Sequence, residues 1–237
     1  MTEPVRNKQM LQGLKVLLAT PGCPELSHLR DAIGTLGAVC VGLDADQDFT
    51  DLPAIEAAFG RAKAEMGGLD AFVLAIGNDQ SRQARAFVSL SPEQWRAACL
   101  GPLRTSRHCL QAAWRTLAGE PASIVVVGPN FSLTGAGGLG ALSVLSEGQR
   151  AMMKSAARQW GAEGIRLNWL GLDAQVFDAH LANAALPLSP EMGPPPPALG
   201  FAPGITTGVA HTIAMLIGAT AITGASIPVD GGVWMVP

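Results

Sequence analysis

The residue types able to do chemistry concentrate in and around one stretch, Ser123 to Ala156, SIVVVGPNFSLTGAGGLGALSVLSEGQRAMMKSA. It runs from an apolar strand through a glycine-rich loop into an amphipathic helix that carries Ser143, Ser146, Glu147 and Arg150. A Glu/Ser pair can support proton transfer without a cofactor, although helix capping and a solvated face account for the same residues more simply. Gly135-Ala136-Gly137-Gly138-Leu139-Gly140 fits G-x-G-x-x-G between a strand and a helix. It sits well past the strand end, which favours a flexible loop over a phosphate cradle. His108 and Arg104 share a helix face with Arg107 nearby, and read as interface or surface groups. Asp173, Asp178 and His180 lack metal-ligand spacing, so no metal is expected. The chain has no tyrosine at all.

The elements that must position these groups alternate between strand and helix. Leu14–Thr20 is a short apolar run closed by Pro21-Gly22, a buried strand and its turn. Leu26, Leu29, Ile33 and Leu36 recur at helical spacing over residues 24–36, Gly37 ends that helix, and Ala38–Leu43 is a second strand. A strand–helix–strand unit of this spacing implies a parallel sheet. Asp51–Met66 reads as a helix and Leu69–Ile76 as a third strand. Ser91-Pro92-Glu93 looks like a helix N-cap with proline in the first turn, opening a long helix toward Trp114. Ser123–Val127, a helix over 139–160, Ile165–Leu170, a helix over 206–217 and Ala225–Val229 complete the pattern. Trp95, Trp114 and Trp160 fall on helices as core or interface aromatics. Residues 172–205, with Gly193-Pro194-Pro195-Pro196-Pro197, read as a long irregular excursion.

A chain of 237 residues is expected to fold as one domain, residues 1–237. Its 48% hydrophobic content, 28 glycines and only 15% charged residues suit strands buried on both faces and exclude a disordered chain. A net charge of −3 gives no electrostatic case for nucleic acid or an anionic membrane as partner. Cys23, Cys40, Cys99 and Cys109 form no C-x-x-C or Cys/His pattern, which fits a reduced, cytoplasmic setting. Residues 1–10 lack the apolar core of a signal peptide, and no apolar run reaches the roughly 18 residues of a membrane helix.

Taken in order, the elements resemble the short-chain dehydrogenase/reductase family over nearly the whole chain, and three motifs carry the resemblance. Leu69-Asp70-Ala71-Phe72-Val73-Leu74-Ala75-Ile76-Gly77 resembles LDxLVNNAG, and Gly164-Ile165-Arg166-Leu167-Asn168 resembles GIRVN. Ala221-Ile222-Thr223-Gly224 through Val229-Asp230-Gly231-Gly232 is similar to ITGxxxxVDGG, the most specific of the three. The resemblance implies an α/β, Rossmann-type, doubly wound parallel sheet flanked by helices, and a dimer or tetramer. Between Leu43 and Asp48-Phe49-Thr50-Asp51, which resembles DVTD, the chain is far shorter than the dozen or so residues of a parallel crossover. One strand–helix unit is therefore expected to be missing, leaving about six strands. Asp44, at the end of the second strand, keeps a place where an acid could meet a ribose, but reads more simply as a solvated loop carboxylate.

The family's chemistry is hydride transfer between NAD(P) and a carbonyl or alcohol, with an Asn-Ser-Tyr-Lys tetrad. Counting from Lys154-Ser155-Ala156, the tyrosine position falls on Leu142, the lysine on Ser146 and the serine on Pro129. Counting from Trp95, the asparagine position falls on Pro102. Leucine and proline transfer no proton. A slip by one residue would bring Ser143 and Glu147 to the tyrosine and lysine positions, still without a phenol. The glycine-rich cofactor loop TGxxxGIG corresponds to Thr20-Pro21-Gly22-Cys23-Pro24-Glu25-Leu26-Ser27. Of that loop Pro21, Gly22, Glu25 and Ser27 mark the degeneration: Gly22 survives, Pro24 removes an N–H, and Glu25 brings negative charge to where phosphate would lie. The PG after the sixth strand is reduced to Leu170-Gly171. No cofactor is expected.

Three functions follow. The first is a catalytically inactive subunit that assembles with an active homologue, as in the family's hetero-oligomers of active and inactive subunits, a dehydrogenase of benzylsuccinate breakdown among them; self-association is the other possibility. The second is a cofactor-independent lyase or isomerase using the residual cleft. The third is a divergent NAD(P)-dependent oxidoreductase.

Overall fold

The computed structural model describes residues 10–43, 47–133, 135–181 and 195–235. Asp44 and residues 182–194 of the expected excursion lie outside the described residues. The elements are β1 (Lys15–Ala19), a 3-10 turn (Pro24–His28), α1 (Leu29–Thr35), β2 (Val39–Gly42), α2 (Leu52–Met66), β3 (Ala71–Leu74) and α3 (Asp79–Arg82). Then come α4 (Pro92–Trp95), a π-turn (Arg96–Leu100), α5 (Gly101–Leu117), β4 (Ala122–Pro129) and α6 (Gly140–Trp160). The chain continues through β5 (Ile165–Leu172), α7 (Ala174–Phe177), a second π-turn (Ile205–Val209), α8 (Ala210–Gly218) and β6 (Ser226–Val229). All six strands are parallel, in the order β2-β1-β3-β4-β5-β6.

Alternate strand residues feed two apolar layers, as a sheet covered on both faces requires. Val16, Leu18, Val73 and Val125 pack toward α1 and α8, where Leu29, Ile33, Ile213 and Leu216 are buried. Leu17, Phe72, Leu74 and Val126 pack toward α2, α5 and α6 through Ile55, Phe59, Ala113 and Met153. Phe59 and Phe72 meet edge to face at 4.9 Å. The doubly wound, six-stranded sheet is the one the sequence implies. Chain order turns back across β1, which sends β2 to one side and β3 to β6 to the other. Among the described residues no strand lies outside β2, whose Val39 is 48% exposed, so β2 forms an open edge where a further strand–helix unit would pair. No helix among the described residues is long and apolar enough to cross a membrane.

Three expectations need correction. The helix over residues 24–36 starts as a 3-10 turn, because Pro24 and the tight turn before it leave no room for a full α-turn. The helix expected from Ser91 toward Trp114 is broken by a π-turn. Ser91 does cap α4, with a Ser91/Gln94 capping box, but Pro102 lacks the N–H that an α-helix would use, and the chain widens to i→i+5 just before it, Gly101 N–H donating to Arg96 O. The excursion is not irregular from its start. Asp173 accepts from Gln175 N at 2.9 Å and opens α7, and Phe177 and Leu181 are buried in the core.

Candidate functional site

In open α/β sheets, ligands enter beyond the carboxyl ends of the strands where chain order reverses. Here that point lies between β1 and β3. A cleft of about 590 Å³ opens there, lined among others by Thr20, Ser27, Arg30, Phe49 and Arg82. Its floor is the turn Pro21-Gly22. Gly22 has φ +71, and a Cβ on it would lie 2.1 Å from Gly77 O, so the turns after β1 and β3 touch backbone to backbone. Gly77 N–H donates to Pro21 O at 3.2 Å.

Arg82, at the end of α3, closes over this floor. Its Nη1 donates to Gly22 O, its Nη2 to Asp79, and its Nε lies 2.7 Å from Asp178 Oδ2. The Asp178 side chain is 1% exposed and that of Arg82 15%. Glu25 Oε1 accepts from Ala179 N at 3.1 Å, one residue along from Asp178. Ser27 Oγ donates to Pro24 O at 2.6 Å. Pro21, Gly22, Glu25 and Ser27 are thus all engaged within the chain. Burial pushes the Cys23 thiol up to about 12 against the opposing pull of Arg82, so it stays a neutral thiol and no nucleophile. The Arg82–Asp178 pair joins segments 96 residues apart in sequence, and no spacing rule could have found it; the only signal was an acid within the excursion.

The neighbouring positions are buried. Pro102 and Pro129 are buried, and Leu142 and Ser146 are fully so. Leu142 belongs to the same apolar cluster as Leu139, Leu145, Phe177 and Leu181. Ser146 Oγ donates back to Leu142 O at 2.9 Å. Ser143 Oγ is buried without a partner, and Glu147 pairs with Arg150, Nε to Oε2 at 3.1 Å. Ser143, Ser146 and Glu147 therefore do not converge on a common cleft. A buried network that sequence reasoning missed links the layers: Gln149 Nε2 donates to Ile76 O at 3.2 Å and to Ser106 Oγ at 2.9 Å, and Ser106 Oγ donates to Pro102 O at 3.0 Å. A glutamine inside an apolar helix face was its only sequence signal.

Other candidates disperse. Gly135–Gly140 turns away from the main cleft and is pinned by Arg85 N–H to Gly138 O at 2.8 Å. Arg104 lines a smaller cleft of about 210 Å³ with Thr50, Asn78, Pro102 and Thr105. His108 is buried beside it in sequence but bonds Arg107, Nε2 to Nη2 at 3.0 Å, and its Nδ1 is buried without a partner. Asp173 caps a helix, Asp178 faces Arg82, and His180 is exposed. Among the described residues, no three His, Cys, Asp or Glu side chains gather as metal ligands. Trp114 and Trp160 stack at 6.4 Å at the helix surface, and Trp95 packs edge to face on Phe87 at 5.9 Å.

A family model described as enoyl-(acyl carrier protein) reductase matches residues 8–234. The chain belongs to the short-chain dehydrogenase/reductase family. No curated protein sequence matches it significantly. Among solved structures, a 3-ketoacyl-(acyl-carrier-protein) reductase from Brucella melitensis complexed with NADH is similar, with TM-score 0.77 and 19% identity, over 95% of this chain and 100% of that one. The Bacillus cereus enoyl-acyl carrier protein reductase with NADP+ and indole naphthyridinone has TM-score 0.74 and 17% identity, over 94% and 97%. FabI from Candidatus Liberibacter asiaticus has TM-score 0.76 and 15% identity, over 95% and 96%. At such identities the structural likeness establishes the fold. Within this short-chain dehydrogenase/reductase, Gly171 also has a packing role: a Cβ there would lie 2.4 Å from the buried Trp169 ring.

Proposed function

We propose that this chain is a catalytically inactive short-chain dehydrogenase/reductase subunit that assembles with a catalytically complete homologue and supports it. The observation that carries the reading is the burial of Leu142, Ser146, Pro129 and Pro102 where the tetrad would stand. None of the four can serve as the acid/base of hydride transfer, and Leu142 and Ser146 are closed off from solvent as well.

The residues present do not fit a dinucleotide. Around the Gly22 turn stand Glu25, Asp79 and Asp178, with Arg82 already paired to the last two. A pyrophosphate there would meet three carboxylates against the one guanidinium of Arg82, and no glycine-rich array of free N–H groups. The π-turn before α5 and the helix α6 keep apolar side chains outward, Leu100 at 48% and Val144 at 42% exposure, which suits an interface better than solvent.

The test is co-expression with an intact short-chain dehydrogenase encoded beside this chain. The reading expects a hetero-oligomer that survives size exclusion, and dehydrogenase activity that depends on the partner's tyrosine. A homo-oligomer that ignores such a neighbour, or turnover by this chain alone, would sink it.

A further inference from the structure

We propose that residues 173–181 form a strap held shut over the Gly22 turn, with the Asp178 carboxylate standing in for the anion that a dinucleotide would bring. The proposal deepens the reading of the cleft as closed to dinucleotides and does not depend on any partner.

Four ties hold the strap. Phe177 and Leu181 are anchored in the apolar core at 1% and 2% exposure. Between them the backbone N–H of Ala179 reaches Glu25 on the turn at 3.1 Å, and Asp178 lies against Arg82 at 2.7 Å. Arg82 is the hinge of the arrangement, because the same guanidinium also grips the carbonyl of Gly22. A guanidinium beside the turn after β1 is a natural phosphate donor set. Here its donors are taken from within the chain: Nη1 by Gly22 O, Nη2 by the exposed Asp79, while Nε faces Asp178, a carboxylate almost wholly withdrawn from water. An isolated carboxylate would not tolerate that burial, so the pair is mutually required: Asp178 needs the cation, and Arg82 is oriented by the anion. The Asp178 Oδ1 also accepts from His180 N at 2.9 Å, which tightens the strap's own turn.

The experiment uses the full chain alone and reads hydrogen exchange along 173–181 together with thermal stability. Asp178→Asn keeps the shape and removes the charge. It is expected to speed exchange at residues 174–181 by about 10-fold or more while α5 and α6 are unchanged. Arg82→Met, which also releases Gly22 O and Asp79, should do at least as much, and the double variant should exchange no faster than Arg82→Met, since the Asp178 pair is already lost there. With both acids neutralised, Glu25→Gln with Asp178→Asn, inorganic pyrophosphate should raise Tm, whereas it leaves the wild-type chain unmoved. Unchanged exchange in Asp178→Asn, additive effects in the double variant, or equal stabilisation of wild type by pyrophosphate would each overturn the strap. No pyrophosphate effect on the neutralised variant would overturn the stand-in role. If Asp178→Asn fails to fold, Glu25→Gln must still speed exchange at the Ala179 amide, and its failure to do so counts against the strap. Dinucleotide binding by the wild type would overturn the stand-in role together with the subunit reading, whereas absence of a partner would strike the subunit reading alone.

Discussion

At the scale of single residues, Leu142 and Ser146, the proposed tyrosine and lysine positions, are packed and closed to solvent. Leu142 is fully buried among Leu139, Leu145 and Phe177, and Ser146 spends its hydroxyl on the helix's own carbonyl. Restoring the family's pair in place, Leu142→Tyr with Ser146→Lys, therefore overfills a closed core and buries an ammonium without a partner. The expected outcome is a loss of roughly 3–5 kcal/mol in urea unfolding and no dehydrogenase turnover. A variant that folds as stably as the parent and reduces a carbonyl with NAD(P)H would show the cleft to be open. His108 carries a second prediction. Burial, then the charges of Arg107 and Arg104, hold its imidazole below the usual 6.5, with Asp51 at the start of α2 opposing them. The folded state thus binds the proton less readily than the unfolded chain. Its contribution to stability is full above about pH 6.5 and falls as pH drops below that value toward the folded pKa. Tm measured from pH 7.5 to 5.5 should decline less steeply in His108→Gln than in the parent.

At the scale of elements, the irregular pieces have local causes. The π-turn before α5 is the chain's answer to Pro102, and it lies where α5 meets the 210 Å³ cleft. At the other end of the molecule, Arg166 on β5 closes the C-terminus of α8. Its Nη1 donates to Leu216 O at 2.9 Å and Ala219 O at 2.8 Å, and its Nη2 to Ile217 O at 2.7 Å. A guanidinium in that place satisfies carbonyls that the helix cannot and complements its dipole. Arg166→Met is expected to lower stability by about 2–3 kcal/mol with the denaturant slope unchanged. A change below about 0.5 kcal/mol would mean that water replaces the side chain at no loss.

At the scale of the whole molecule, the sheet opens a crevice where chain order reverses at β1. Asp79 and Arg82 line that crevice, Arg82 pairs with Asp79 and Asp178, and Glu25 beside the turn holds the Ala179 amide. A ligand that binds the native state at 100 times its Kd stabilises it by about 2.7 kcal/mol. Titration with NAD(H) and NADP(H) is expected to give neither heat nor a rise in Tm. A shift of a few degrees would restore the divergent oxidoreductase as the better reading. The shortened connection between β2 and α2 has a visible consequence as well, leaving the apolar β2 at the open edge of the sheet with Val39 exposed.

How much of this was legible in the sequence follows from the range of each interaction. Hydrophobic period, the Ser91-Pro92 cap and the ITG/VDGG stretch are local signals that carried the strand–helix order and the family resemblance implying a doubly wound sheet, and the short stretch between Leu43 and Asp48 reduced it to about six strands. The proposed assignment of Pro102, Pro129, Leu142 and Ser146 to the tetrad positions likewise rests on counting along the chain. What only the tertiary structure decided are contacts between distant segments: Arg82 with Asp178, Gln149 with Ile76 and Ser106, and Gly22 pressed on Gly77. The sequence alone marked Asp178 as a stray acid in an irregular excursion and Glu25 as a charge in the wrong place. Folding brings the two onto the same turn, because β1, β3 and β5 carry their loops to one end of a parallel sheet, and charge arrangement across three loops is a property of that end and of no single stretch.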